Sequence, residues 1–425
     1  MHSRSYFILF IRESKQAIMR NRILNDWNIF LPGRGVRNFF AGVLIYGIAY
    51  NCFYGVLNNY LVDIQHFTEW QRGVLEFFRE LPGLFLIVIL ALMHRASEWK
   101  ILRIGALIAF AGVAGLLFVG SSHALLILLV MIWSAGEHIF MPARNSIAMH
   151  IARHEKAGAS LGLTSSAGFL GQVAGGLFAA GVFFFARRHF PEIPQKTLYN
   201  FIWIVIIVLL AAMYLASFPK LTESQQVRRP RLYFSRKFRK FYMLEIFYGA
   251  RKQIFITFAP FVLILIYGLD TAEMALLVGI CAAINIFGGT LIGRLIDKVG
   301  YRNVMIYDTV VLFFVCLIYG FADRLFPPGV AVWAVMITYV FDAIISTASM
   351  ASSIYVREIS DSTEEVTATL TTGISVNHLI SVLAALLGGW LWTSFGVGFL
   401  FIFAAVMALC NTAYALTLPK PKEAR

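Results

Sequence analysis

The sequence contains little charge for its length. Of 425 residues, 14% are Asp, Glu, Lys or Arg, against 59% hydrophobic residues and a mean hydropathy of +0.73. A water-soluble fold of this size needs a polar surface that such a composition does not supply. The sequence therefore excludes a soluble globular protein and indicates an integral membrane protein.

The motifs of ATP-driven pumps and of common metalloenzymes are missing. No lysine follows a glycine, so the Gly-Lys of a phosphate-binding loop does not occur, and neither does a HExxH or CxxC pattern. The four cysteines lie in apolar stretches without metal-ligand spacing; they are Cys52, Cys281, Cys316 and Cys410. We therefore expect a protein that is not an enzyme and has no cofactor, no bound metal and no ATP-driven activity of its own.

Long apolar stretches lack the ten-residue alternation of a membrane β-barrel and are typical of membrane-spanning helices. The predicted spans are residues 39–61, 72–93, 101–120, 124–148, 157–186, 199–218, 245–267, 272–296, 303–321, 329–355, 366–392 and 397–418. The sequence thus predicts an all-α membrane protein with twelve transmembrane helices in two pseudo-symmetric six-helix bundles. Its parts would be a basic N-terminal segment at 1–38, bundles at 39–218 and 245–418, a basic linker at 219–244 and a tail at 419–425.

Basic residues orient the chain. The loops on the side opposite the linker hold only four of them, Arg187, Arg188, Lys196 and Arg324, while the linker side holds most of the others. Because cytoplasmic loops carry the excess of Lys and Arg, both termini and the linker are expected in the cytoplasm, in a multi-pass protein of the cell membrane. The net charge of +13 is then explained by this bias and by contact with anionic lipids, and no nucleic-acid partner is expected.

A polar face follows the first span. Five residues recur at helical spacing along this face: Gly47, Asn51, Tyr54, Gly55 and Asn58. This face is expected to point into the protein. Asn51 and Asn58 are candidates for substrate binding, and helix packing is the alternative for both.

The second span carries charges at membrane depth. Arg72, Glu76, Arg79 and Glu80 share one helix face. A charge near the bilayer centre costs at least about 2.5 kcal/mol, so such groups pair or face water. Arg72 and Glu76 are expected to snorkel to the membrane boundary. Arg79 and Glu80 lie deeper and are expected to pair or to line a cavity.

The fourth span contains a Glu-His pair. Glu137 and Arg144 are seven residues apart on one helix face, so Arg144 is the simplest partner for Glu137. His138 adds a group that titrates near neutral pH. Glu137 and His138 therefore form a candidate proton site.

The second half of the chain repeats this theme. Arg251 lies in the seventh span, Asp342 is the lone acid in the middle of the tenth, and Asn377 and His378 lie midway along the eleventh. Ionisable and polar groups at this depth mark functional sites. Asp342 is the first candidate for an acid that couples transport to protons, ahead of the Glu-His pair of the fourth span. A fixed ion pair between Asp342 and Arg251 is the alternative.

A ten-residue motif follows the eighth span: Gly293-Arg294-Leu295-Ile296-Asp297-Lys298-Val299-Gly300-Tyr301-Arg302. It resembles the loop signature Gly-x-Leu-small-Asp-(Arg/Lys)-x-Gly-(Arg/Lys)-(Arg/Lys) of the major facilitator superfamily and departs from its basic positions only at Tyr301. The resemblance implies a twelve-span secondary transporter with a gating role for Asp297, paired with nearby cations. The other gating positions implied are Gly293, Lys298, Gly300 and Arg302. The loop of the first half, residues 93–100, lacks this core, which leaves Arg144 without its usual loop partner.

These features predict a monomeric secondary transporter that moves a small molecule by alternating access. Protons are the expected coupling ion, because the buried groups are titratable and no broken-helix sodium site is indicated. The buried acids are Glu76, Glu80, Glu137 and Asp342, and the buried bases are Arg79, Arg144, Arg251 and Lys252. This balance leaves both hydrophobic-cation efflux and carriage of an organic anion or zwitterion open. A non-transporting receptor or scaffold on the same fold is the rival from another class.

Overall fold

The computed structural model describes residues 29–31, 34–93, 95–153, 156–217 and 233–419. Most of the basic N-terminal segment, most of the basic linker and the end of the tail lie outside these ranges. Ser217 is the last described residue before the linker, and Tyr233 is the first after it. These two residues mark one end of the molecule. We call this end the linker side and the opposite end the far side.

The described residues form fourteen α-helices. Those of the first half are α1 (Arg34–Asp63), α2 (Glu69–Leu84), α3 (Leu86–Leu92), α4 (Glu98–Leu116), α5 (His123–His150), α6 (Ala157–His189) and α7 (Gln195–Ala216). Those of the second half are α8 (Arg239–Leu265), α9 (Thr271–Val299), α10 (Tyr301–Leu325), α11 (Pro328–Ser346), α12 (Met350–Ile359), α13 (Thr363–Phe395) and α14 (Val397–Leu416). Two spans are broken, α2 with α3 and α11 with α12, so that the helices make the twelve predicted spans.

Each break coincides with a local feature, a proline in α2 and a 3₁₀ turn after α11. Pro82, inside α2, lacks the backbone N–H and crowds the preceding turn, and the helix ends at Phe85 with φ −88° and ψ 4°. A 3₁₀ turn at Thr347–Ser349 separates α11 from α12. Short 3₁₀ stretches within a helical span often mark a hinge. A third irregularity lies in α10, where Phe321 has the non-helical angles φ −139° and ψ 16°.

Within the described residues, ten helical stretches are long and apolar enough to cross a membrane by length and composition. Neither α2 nor α8 is among them. α2 carries the charges from Arg72 to Glu80, and α8 carries Arg251, Lys252 and Gln253. Both helices are surrounded by others, α2 by α5 and α13, and α8 by α13 and α14. Their polar groups consequently face protein instead of lipid, as buried charges in membranes require.

Glycines let helices of the first bundle touch. A Cβ on Gly47 of α1 would lie 2.3 Å from the carbonyl oxygen of Gly168 in α6, and one on Gly175 would lie 2.3 Å from that of Ile48. Only a residue without a side chain fits at such a backbone approach. The contact supports helix packing as the role of Gly47.

The two bundles meet through the pairs α6–α9 and α2–α13. In the far half, a Cβ on Gly176 of α6 would lie 2.8 Å from the Cα of Gly279 in α9. On the linker side of the same two helices, a Cβ on Gly162, Gly289 or Gly293 would meet nothing within 4 Å. The bundles are thus in contact on the far side and separated along these helices on the linker side.

Polar contacts reinforce the far side. Asn59 donates to the carbonyl of Leu269 at 3.1 Å, and the hydroxyls of Tyr199 and Thr271 lie 2.8 Å apart. Arg187 forms an ion pair with Asp270. Each of these contacts joins the first bundle to the loop before α9 or to its first residue, so they close the far side.

Candidate functional site

A buried charge network runs along α2. Arg72 Nη1 donates to Glu76 Oε2 at 2.7 Å, and Arg79 binds both oxygens of Glu76, at 2.9 Å through Nε and 2.6 Å through Nη2. Arg79 also contacts Glu80. The spacing of the four residues places them on consecutive turns of one face, so the arginines and carboxylates alternate and neutralise one another.

Other helices satisfy the remaining polar atoms of this network. Gln253 of α8 donates to Glu76 Oε1 at 2.6 Å, which links the two bundles. Tyr54 of α1 accepts from Arg79 Nη1 at 3.2 Å and donates to Glu137 Oε2 at 2.6 Å. Asn58 accepts from Arg72 Nε at 3.2 Å. The polar face of the first span therefore serves the charges of the second.

Two histidines close the network against the second bundle. His378 Nδ1 lies 2.8 Å from Glu80 Oε2, and the rings of His138 and His378 are 5.1 Å apart. His138 Nδ1 lies 2.8 Å from the carbonyl oxygen of Ser134, whose hydroxyl donates to the carbonyl of Arg79 at 2.5 Å. Glu80, His138 and His378 could together hold a metal ion, with their ligand atoms all within 4.8 Å of one another.

A second network lies inside the second bundle. Arg251 Nη1 donates to Asp342 Oδ1 at 2.9 Å, and the Arg251 guanidinium lies 5.0 Å from the centre of the Tyr248 ring. Among the described residues, Arg251 Nη2 and Asp308 Oδ1 are buried without a hydrogen-bond partner. Asp342 is thus paired with Arg251, as the alternative to an unpaired acid in the sequence analysis predicted.

Next to this network, a chain of hydrogen bonds leads toward the linker side. Lys252 Nζ donates to Asn377 Oδ1 at 3.3 Å, and Asn377 Nδ2 donates to Glu245 Oε2 at 3.3 Å. Ser352 donates to the other oxygen of Glu245 at 3.1 Å. Asn377 is therefore held between a partly buried base and a partly buried acid.

Two expectations about partners were wrong. Arg72 and Glu76 do not snorkel to the boundary: they are 3% and 0% exposed and belong to the central network. Arg144 does not serve Glu137. It donates to the side chain of its neighbour Asn145 at 3.0 Å, while Glu137 accepts from Tyr54. Helical spacing alone could not show that α1 places a tyrosine at Glu137.

The candidate residues thus fall into separate groups. Arg79, Glu80, Glu137, His138, His378 and Asn58 belong to the central network, and Arg251, Asp342 and Asn377 lie in the second bundle. Asn51 donates to the carbonyl oxygen of Gln172 at 2.7 Å, a contact between α1 and α6. Asn51 therefore contributes to packing within the first bundle in this conformation.

The gating motif lies at the linker-side end of α9. Gly300 ends the helix with φ +83°, a backbone conformation that favours glycine. Arg302 donates to the carbonyl of Leu416 at 2.6 Å. Among the described residues, Asp297 is exposed and has no ion-pair partner. In this conformation Asp297 accordingly makes no gating ion pair with a described residue.

One enzyme pattern does occur in the chain. Gly158–Gly162 reads Gly-Ala-Ser-Leu-Gly and matches GxSxG. A hydrolase nucleophile needs this pattern on a strand-to-helix turn. Here it lies within helix α6, where Ser160 is fully buried and donates to the carbonyl of Ala148. The match therefore carries no catalytic function.

Sequence reasoning missed Glu245, Asp308 and Gln253 as site residues. Glu245 stood at the first position of a predicted span, but α8 begins earlier, at Arg239, and encloses it. Asp308 lies two turns into α10. Counting every acid within two turns of a span end as buried would have found both.

Two bundles of six spans that enclose paired charges at their interface define a transporter, not an enzyme. The Major Facilitator Superfamily model matches residues 6–176 and 241–425. The chain therefore belongs to the Major Facilitator Superfamily, as its loop motif implied. It is a multi-pass membrane protein and a secondary transporter of small molecules by class. No curated protein matches it in sequence.

Solved structures share the fold at low sequence identity. The nucleoside transporter NupG is 13% identical, with a TM-score of 0.70 over 90% of this chain and 98% of that one. A bacterial homologue of the iron transporter ferroportin, in an inward-facing state, is 12% identical, with a TM-score of 0.69 and the same coverage. A variant of the E. coli fucose:proton symporter FucP is 13% identical, with a TM-score of 0.57 over 89% and 97%.

Proposed function

We propose that this chain is a proton-coupled secondary transporter of the cell membrane, with both termini in the cytoplasm. The observation that carries the proposal is the pair of polar bridges across the bundle interface, Gln253 to Glu76 and His378 to Glu80. Both lie midway along their helices, where transporters of this plan bind substrate between two moving halves. Rocking of the bundles would break and remake these bridges.

The division of labour follows from the contacts. The bundles at 39–218 and 245–418 are the moving halves, joined by the basic linker at 219–244. The proposed substrate-facing residues are Asn58, Arg79, Glu80, Glu137, His138, Asn377 and His378. The motif around Asp297 is the proposed gate of the linker side. The linker and the termini contact anionic lipid headgroups.

Proton coupling is proposed at Asp342. Two acids, Asp342 and Asp308, face the single guanidinium of Arg251, with which Asp342 is paired. Buried charges need partners, so the acid that Arg251 does not neutralise requires a proton. Within the described part of the chain, Arg251 Nη2 and Asp308 Oδ1 lack hydrogen-bond partners, which would let the arginine change partners as the proton moves. Among the described residues, the remaining titratable neighbours of Asp342 are Tyr248, Cys281, Cys316, Tyr319 and Tyr339. Glu137 with His138 is the second proposed coupling site.

A flux experiment tests this proposal. Asp342→Asn should abolish solute accumulation driven by a pH gradient in proteoliposomes but spare exchange of labelled solute, because exchange needs no net proton movement. Asp323→Asn, in the same half but outside the network, is the matched control. Retained pH-dependent accumulation in Asp342→Asn would refute coupling at this residue. Misfolding that is cured by also neutralising Arg251 would identify the pair as structural.

A further inference from the structure

Three metal-binding side chains meet where the bundles touch. Glu80 of α2 and His138 of α5 belong to the first bundle, and His378 of α13 belongs to the second. We propose that these residues bind a divalent first-row transition-metal ion as the transported substrate, an inference that rests on the transport function proposed above. One carboxylate and two imidazoles suit Zn²⁺, Fe²⁺ or Co²⁺, whereas Mg²⁺ and Ca²⁺ prefer oxygen ligands alone.

The hydrogen bonds of His138 leave one ring nitrogen free for a ligand bond. The Ser134 hydroxyl gives its proton to the carbonyl of Arg79, so both oxygens of Ser134 accept from His138 Nδ1, at 2.8 and 3.1 Å. The proton of the neutral ring is therefore on Nδ1, and Nε2 carries the lone pair. A backbone carbonyl that holds the other ring nitrogen is the usual support of a metal-binding histidine.

Glycine makes room for both imidazoles. A Cβ on Gly83 would lie 2.6 Å from His378 Nδ1 and 2.7 Å from His138 Nε2. The two nitrogens proposed as ligands thus point to the same bare backbone position, one turn beyond Glu80. Any side chain at residue 83 would push them apart.

The spacing of the ligand atoms suits an ion with an exchangeable position. Ligands around a tetrahedral ion with bonds of about 2.0–2.2 Å lie roughly 3.3–3.6 Å apart. Glu80 Oε2 and His378 Nδ1 are 2.8 Å apart and share a hydrogen bond, so the ion replaces the proton on Nδ1, which passes to water. All three ligand atoms lie within 4.8 Å of one another. Shifts of about an ångström in side chains would centre an ion. Three protein ligands leave the fourth position open, as a site that releases its ion requires.

The charge of the first bundle favours a cation at this place. Its charged groups near the site are Arg72, Glu76, Arg79, Glu80 and Glu137. The acids outnumber the arginines by one, and Glu80 keeps Oε2 directed to His378 while Arg79 contacts Oε1. Lys252 of the second bundle offsets this charge, but it also faces Glu245, which restores the excess of one acid.

The position of the ligands distinguishes a substrate from a structural ion. His378 moves with one bundle, while Glu80 and His138 move with the other. Rocking of the bundles would separate His378 from the other two ligands and release the ion, which is what alternating access demands of a substrate site. A structural ion would instead lock the bundles together.

Binding is tested first, on the full chain in lipid nanodiscs. Titration with Co²⁺, followed by visible absorption, and with Zn²⁺, followed by calorimetry, should show one ion per chain. His138→Gln and His378→Gln should each weaken binding at least about tenfold, and exposed His189→Gln should not. Excess Mg²⁺ should not compete. Absence of saturable binding by the wild-type chain, or unchanged binding in the His138→Gln/His378→Gln double variant, would overturn the proposal without reference to variant folding.

A transport experiment then distinguishes the metal as substrate from the more general proposal of proton-coupled transport. Proteoliposomes that contain a metal-sensitive dye should admit Co²⁺ or Zn²⁺ under a pH gradient with the wild-type and His189→Gln chains, but not with His378→Gln. Gradient-driven flux of another solute without metal flux would refute the metal as substrate and leave proton-coupled transport standing. Metal binding without gradient-driven flux of any solute would support the site and refute the transport function.

Discussion

At the scale of single residues, Glu76 holds the central network together. It accepts from Arg72, from Arg79 through two nitrogens and from Gln253, and it is fully buried. Four donors on one carboxylate compensate its removal from water, which a buried charge needs. The same contacts fix the positions of the arginines and so the position of Glu80 beside His378.

Glu76→Gln should be strongly destabilising. The amide removes the negative partner of two buried arginines, and breaking such a pair costs about 3–5 kcal/mol. We expect a lower unfolding temperature in detergent and loss of transport. Glu192→Gln, an exposed residue before α7, is the control and should behave like the wild type. A Glu76→Gln chain as stable as this control would show that water or lipid compensates the arginines.

Residue-level reasoning from the sequence succeeded where one helix contained the whole interaction. The pairing of Arg79 with Glu80 on α2 was readable in this way. The bond between Asp342 and Arg251 joins two helices, and the sequence predicted it only as the alternative to an unpaired acid. Such reasoning failed where the partner came from another span, as for Glu137, because helical spacing holds no information on which helices are neighbours. The contact between Glu80 and His378 could be found only from the fold, because the two residues lie nearly 300 positions apart in the chain.

At the scale of elements, glycine contacts set how closely the bundles approach. A Cβ on Gly176 would lie 2.8 Å from both Asn51 Nδ2 and Gly279 Cα, whereas a Cβ on Gly181 would meet nothing within 4 Å. The two glycines are on the same helix, α6, but only one faces α9. A side chain added at residue 176 would therefore push α6 away from α9, whereas one added at residue 181 would not and serves as the control.

Gly176→Ala should disfavour the conformation that is closed on the far side. The added methyl group meets backbone that cannot rotate away, so α6 and α9 must separate. We expect slower transport and faster labelling of a cysteine introduced at Thr271, which is buried against Tyr199. Gly181→Ala should change neither. Equal labelling rates in the two variants would mean that this contact does not hold the far side closed.

The gating loop is a second element with a testable role. Asp297 is exposed and, within the described residues, unpaired while the linker side is open, so its removal costs this conformation little. Asp297→Asn should therefore leave expression and thermal stability nearly unchanged and reduce flux strongly, because the opposite conformation loses its stabilising pair. Asp361→Asn, exposed in the next linker-side loop, is the control for charge. Unchanged flux in Asp297→Asn would remove the gate from this loop.

At the scale of the whole molecule, the twelve spans and the two bundles were predictable because the bilayer dictates length and hydrophobicity directly. Which side of the molecule is closed was not predictable, because a transporter open on either side would bury the same spans. It depends on small contacts such as Gly176 with Gly279 and Asn59 with Leu269. The proposed orientation rests on the distribution of Lys and Arg among the loops. On the far side, Arg187 is paired with Asp270.

This distribution of charge leads to a prediction about orientation. If the linker side is cytoplasmic, a cysteine at Ser235, beside the basic linker, should resist a membrane-impermeant maleimide in intact cells and react after permeabilisation. A cysteine at Ser121, exposed in the far-side loop between α4 and α5, should react without permeabilisation. The native cysteines give little background, because Cys52, Cys281 and Cys316 are buried and Cys410 can be replaced by serine. Labelling of Ser235→Cys but not of Ser121→Cys in intact cells would reverse the orientation, and with it the direction in which the proposed proton and metal sites open.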